Sequence, residues 1–160
     1  MALSNCTQHA SNNEPTPTPW HVGSTWAVSV FARNHQLVGS MVVRLTGEKA
    51  RSCIGGDWKQ LEILKRQFND SARDAESSAG RSLLATKPLS YSIGGNRLLL
   101  GVTEVCDAYV FLRGVLKDEW AAGDYGWLHP YGFTILGSFT AYPCRGRCQQ
   151  SLAQSPSNNN

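Results

Sequence analysis

The chain has 160 residues, 41% of them hydrophobic, with 15 basic and 12 acidic side chains. That length fits one domain with tails, and a net charge of +3 without any block of like charge reads as a solvated, mildly basic surface and not as a nucleic-acid-binding face. No stretch approaches the roughly 20 apolar residues of a membrane helix, and the charged and apolar segments of a complete signal peptide are missing, so export would imply a mature or trimmed chain.

Residues 1–19 hold few large apolar side chains and read as a disordered tether, with Pro15, Pro17 and Pro19 stiffening its far end. Residues 149–160 read as a disordered tail for the same reason, which leaves 20–148 as the single folded domain. Cys6 stands alone in the tether, and three readings of it are open. Leu3-Ser4-Asn5-Cys6 is similar to the end of a bacterial lipoprotein signal, which makes Cys6 a lipidation site and its only membrane contact a lipid anchor. Asn5-Cys6-Thr7 and Asn69-Asp70-Ser71 fit the glycosylation triplet of a eukaryotic secreted protein. A free thiol on an exposed tail is the third reading.

From Trp20 onward, apolar and polar residues alternate with the period of two that puts each set on one side of a sheet. Strand-like runs fall at 25–33, 37–45, 57–66, 88–93, 97–102, 108–117, 123–129 and 133–142. In 37–45 one face carries Leu37, Met41, Val43 and Leu45, while the other mixes Ser40 and Arg44 with Val38 and Val42. Gly94-Gly95-Asn96 joins two runs as a hairpin, because Gly and Asn tolerate the positive φ of tight turns. In 133–142, Phe133, Ile135 and Phe139 face one way, and Thr134, Ser138 and Thr140 the other. The expected fold is all-β: an antiparallel meander of about eight strands closing into a small barrel or sandwich, which removes or protects its edges.

Residues 69–87 break the pattern. A short helix starting near Asp70 or Ser71 and ended by Gly80 fits their Ser, Asp and Ala content, and a loop is the alternative. The choice bears on Cys53, Cys106, Cys144 and Cys148, an even set that in a β-rich domain suggests disulfides and an oxidising compartment. In a meander each strand reverses direction. A helix running the height of the barrel would bring Cys53 and Cys106 to one end and leave Cys144 to pair with Cys148, the arrangement that uses every cysteine.

Zinc is not expected, because only Cys144 and Cys148 form a close pair. His9, His21, His35 and His129 are scattered, and Gly55-Gly56 lacks the lysine motif of a phosphate loop. Neither a cofactor nor a metal is expected, nor does a nucleophile motif mark an enzyme. The aromatic residues are more informative. Trp120, Tyr125, Trp127, His129 and Tyr131, interleaved with Gly123, Gly126 and Gly132, form a candidate rim for an apolar ligand or a protein partner. The rival reading packs Tyr125 and Trp127 inward.

Gly23-Ser24-Thr25-Trp26 resembles the Gly-x-Trp opening of lipocalin-like (calycin) β-barrels, displaced by one residue. Gly123-Asp124-Tyr125 is similar to their second, Asp-Tyr motif. Arg145 and Arg147 follow the last strand, where those barrels place an arginine against the opening tryptophan. The resemblance implies a barrel that binds a small molecule or a protein. Its spacing departs, with one strand where those barrels have two between Tyr125 and the terminal arginines.

Two classes of function follow. The first is an exported, non-enzymatic binding barrel, in the periplasm or outside the cell, whose partner is an apolar small molecule or an envelope protein. The second is an extracytoplasmic enzyme or protein inhibitor with its site on the 118–132 loops. The lack of paired carboxylates and nucleophile motifs favours binding.

Overall fold

A computed structural model describes residues 19–71, 75–85, 88–104, 109–144 and 148. The period-two runs become eight strands: β1 (Thr25–Ala32), β2 (Leu37–Lys49), β3 (Lys59–Phe68), β4 (Leu89–Gly94), β5 (Arg97–Gly101), β6 (Tyr109–Leu116), β7 (Ala121–His129) and β8 (Gly132–Pro143). The helix α1 (Ala75–Ala85) lies between β3 and β4. Each strand pairs with the next, and β8 returns to β1 with Trp26 opposite Pro143 and Ala32 opposite Gly137. The result is a closed, antiparallel up-and-down barrel.

Eight strands enclose an interior just wide enough for side chains to fill. Val28 and Val30 of β1, Met41 and Val43 of β2, Leu100 of β5, Leu112 of β6 and Phe139 of β8 are buried there around Trp26 and Tyr125, both 0% exposed. At one end, Trp20 stacks on the Trp26 ring with centroids 3.2 Å apart and its indole N–H donates to Lys117 O. The lipocalin resemblance puts an arginine against the opening tryptophan. Here Trp20 covers a face of that ring, and Arg145 and Arg147 lie outside the described residues.

Two bulges overturn part of the expected facing. Val30 pairs with Gly39 and Phe31 with Leu37, so Val38 is an extra residue and alternation reverses there. Val38 turns into the core, and Leu37, expected on the core face, is left exposed. In β8, Tyr125 pairs with Gly137 and Gly126 with Ile135, making Leu136 the extra residue. Phe139 is therefore inside, while Ile135 is exposed and Phe133 joins a separate cluster on the outer surface.

Residues 69–71 are not helical, and α1 begins at Ala75 and runs through Gly80 instead of ending there. A Cβ at Gly80 would lie 3.0 Å from Val38 Cγ1, 3.4 Å from Val30 Cγ1 and 3.6 Å from a Tyr125 ring carbon. The glycine lets the helix backbone approach the barrel end closely. Leu83 and Leu84 are buried beside it, so α1 plugs the end where β1 meets β2. Among the described residues no helix is long and apolar enough to cross a membrane.

Cys144 and Cys148 form a disulfide, and Cys53 is disulfide-bonded as well; Cys6 and Cys106 lie outside the described residues. The chain geometry around Cys53 differs from the expectation. The helix does not reverse the strand parity, because β4 pairs antiparallel with β3, with Leu61 opposite Leu89. Instead the 50–58 loop brings Cys53 to the segment after β5, where its N–H donates to Thr103 O at 2.9 Å. Because Cys144 and Cys148 are separated by only 4 positions, their bond closes a short loop and constrains the unfolded chain weakly. Replacing both with serine is expected to cost roughly 2 kcal/mol in denaturant unfolding, without loss of the barrel.

Tyr91 links the β4 wall to the β2 end through a hydrogen bond from its hydroxyl to Thr46 O at 2.7 Å. Burial, with the Asp57 carboxylate second, holds its phenol above the ordinary value. A phenol that keeps its proton longer in the folded chain stabilises it fully below the unfolded pKa of about 10, and that contribution is lost as pH rises through the higher folded value. Stability measured by denaturant unfolding should fall above about pH 10, and Tyr91→Phe should flatten that fall.

Candidate binding site

The five residues of the expected rim are strung along the whole of β7 and its two turns. Most of 118–132 is strand, not loop. Trp120 stands at one end, where its carbonyl accepts from Lys117 N–H, and is 40% exposed. Tyr125 is fully buried against α1 and Gly137. Trp127 pairs with the core residue Val110, lies two positions beyond Tyr125 and is partly exposed. His129 and Tyr131 are at the opposite end from Trp120. His129 Nδ1 accepts from Tyr131 N–H at 3.3 Å, and Nε2 lies 3.1 Å from Thr134 Oγ1. The barrel therefore gathers Trp127, His129 and Tyr131, separates Trp120 from them and withdraws Tyr125.

A more defined concavity lies on the outside of the barrel. The 50–58 loop closes on itself through Ala50 N–H to Trp58 O at 2.9 Å. Ser52 Oγ donates to Ile54 O at 2.7 Å, the Trp58 indole N–H donates to Gly55 O, and Gly56 supplies a φ of +124°, which L side chains rarely adopt. Buried Thr103 then clamps the loop to the wall: its hydroxyl donates to Arg51 O at 2.7 Å and lies 3.0 Å from buried Ser90 Oγ. With the Cys53 disulfide and the Cys53–Thr103 backbone bond, these contacts lay Ile54 and Trp58 over the outer faces of β5 to β8.

There Trp58 and Phe111 are both nearly fully buried, with ring centroids 5.8 Å apart and planes tilted 50°. The tilt is a favourable aromatic arrangement. Ile54, Leu99, Leu128 and Phe133 pack around them, partly buried. Phe111 fits because its cross-strand partners on both sides are glycines, Gly101 on β5 and Gly126 on β7. A Cβ at Gly101 would run into the Phe111 ring, and one at Gly126 would meet Thr134 backbone and the Phe133 ring. Arg113 lies at the edge, its guanidinium 4.2 Å over the Phe133 ring and 3.7 Å from the Asp124 carboxylate. The cleft so formed holds about 210 Å³ and is lined by Ile54, Trp58, Leu99, Phe111, Arg113, Leu128 and Phe133.

None of these lining residues was among the expected site residues, yet the chain carries a signal for them. Leu98-Leu99-Leu100 and Val110-Phe111-Leu112 are apolar on both faces, the pattern of strands covered on both sides. Such a run implies that something packs outside the barrel. Among the described residues, no group of three or more His, Cys, Asp or Glu side chains is placed to hold a metal ion. Comparison of the chain with family models, curated proteins and solved structures gives no match.

Proposed function

We propose that this chain is an exported, non-enzymatic binding barrel of lipocalin-like type, and that its ligand is an apolar small molecule held outside the barrel, between the 50–58 loop and β5 to β8. The observation that carries this reading is the cleft of about 210 Å³ with six apolar lining residues and one arginine. An apolar concavity with a single placed polar group is the usual make-up of a small-molecule site. The barrel centre, by contrast, is occupied by Trp26, Met41, Tyr125 and Phe139. An envelope protein is the weaker occupant, because a specific protein interface needs about 800 Å² from each partner and this concavity is local.

Export is supported by chemistry. Cys53, Cys144 and Cys148 are all disulfide-bonded, and such bonds persist in oxidising compartments. A lipid on Cys6 would then tether the barrel by the end at which Trp20 enters.

The test uses 2-naphthamide, a neutral aromatic probe. It should raise the melting temperature by mass action and move the indole N–H resonance of Trp58 in NMR spectra. Leu99→Trp, which fills the cleft, should abolish both effects. Equal binding by that variant would overturn the reading.

A further inference from the structure

The shape and charge of the cleft narrow its ligand further. An enclosed cavity of about 150 Å³ lined by Leu, Ile and Phe binds one benzene ring, so a cleft of about 210 Å³ suits one ring or two fused rings better than a long acyl chain. Its walls favour a planar guest. Trp58 and Phe111 present rings tilted 50° to one another, with Phe133 in the same lining, and a flat aromatic ligand can meet such rings edge to face or offset, the arrangements the ring quadrupole prefers.

Arg113 is the one charged residue in that lining. Its guanidinium carbon sits 4.2 Å over the Phe133 ring, a cation–π contact that favours this position at the cleft edge. The neighbouring carboxylate of Asp124 stands 3.7 Å away, and both side chains are about half exposed, 52% and 42%. A pair of that length and exposure contributes little, whereas a carboxylate meeting the guanidinium fork squarely makes two short, charge-assisted hydrogen bonds. Because Arg113 is at the open edge, a ligand's charged group can stay in contact with water while its ring goes inward. The ligand's charge then carries no large desolvation cost.

From these observations we infer that the ligand is a planar aromatic carboxylate of one or two rings, with its ring against Trp58, Phe111 and Phe133 and its carboxylate on Arg113. The inference rests on the cleft reading proposed above and adds the ligand's charge to it.

The test compares 2-naphthoate with 2-naphthamide, which match in shape and differ in charge. Both titrations are followed through the Trp58 indole N–H on the full chain with disulfides intact. The carboxylate should bind about tenfold tighter or more, as a charge-assisted bidentate contact implies. Arg113→Gln should bring the two affinities to near equality. Asp124→Asn, which removes the competing carboxylate, should strengthen 2-naphthoate binding alone; this second variant keeps the test valid if Arg113→Gln unfolds. Equal affinities of the two probes for the unaltered protein, or a preference for the carboxylate that survives in Arg113→Gln, would overturn the inference and leave the cleft reading standing. If neither probe moves the Trp58 resonance, the cleft reading itself fails.

Discussion

Tyr125→Ala is expected to cost about 3–5 kcal/mol of unfolding free energy, the range for deleting a large buried aromatic side chain. Tyr125 is 0% exposed, and its ring edge is the surface against which Gly80 of α1 and Gly137 of β8 both close. Removing the ring would leave a void where the helical plug meets the barrel wall, with little freedom for the helix to collapse into it, because Val30 and Val38 already touch its backbone side. Trp127→Ala, only two positions away, should cost less, about 1–2 kcal/mol, since a residue 37% exposed gives up less buried surface. Denaturant unfolding of the two variants measures the contrast directly. Similar losses for both would mean that Trp127 is a core residue and that the inward set of β7 is not as described.

The second large effect concerns glycines that look interchangeable in the chain. Gly137→Ala would drive a methyl group into the Phe31 carbonyl and the Tyr125 ring, and backbone on a neighbouring strand cannot step aside as a flexible side chain can. Overpacking of this kind costs about 1–3 kcal/mol, and more when the obstacle is rigid. Gly55→Ala is the control. It has nothing within 4 Å of the added atom and no positive φ, so its stability should stay within about 0.5 kcal/mol of the parent. Melting curves of the two proteins give the comparison. A neutral Gly137→Ala would show that β1 and β8 are farther apart than this register requires.

Other glycines, and the strands that carry them, show what could and could not be read in the chain. Period-two alternation located all eight strands, because each buries one face against the interior. It could not locate the bulges at Val38 and Leu136, since a single inserted residue reverses the facing without any mark in composition. In the chain Gly123 and Gly126 stand out only as glycines interleaved with aromatic residues. In the folded barrel they are close approaches: a Cβ at Gly123 would meet Arg113 backbone, and one at Gly126 would meet Thr134 backbone. The end of α1 departs from the expectation for a related reason, because Gly80 serves packing against Val30 and Val38, not termination.

The candidate site was half legible. Apolar residues on both faces of β5 and β6 imply an outer layer. Its identity depends on the 50–58 loop folding back onto Thr103, a contact 50 positions away from Cys53 that no local pattern announces. The aromatic segment from Trp120 to Tyr131 drew attention by density alone, and a strand as long as β7 necessarily divides such a segment between two ends and two faces.

The central claim is that the ligand binds outside the barrel and not within it. It is tested most directly by intermolecular nuclear Overhauser effects from bound 2-naphthamide to assigned methyl groups. The account predicts contacts to Ile54, Leu99 and Leu128, the aliphatic residues of the outer cleft. Contacts to Val28, Val30, Val43 and Leu112, which belong to the interior cluster, would contradict it and return the site to the barrel's centre.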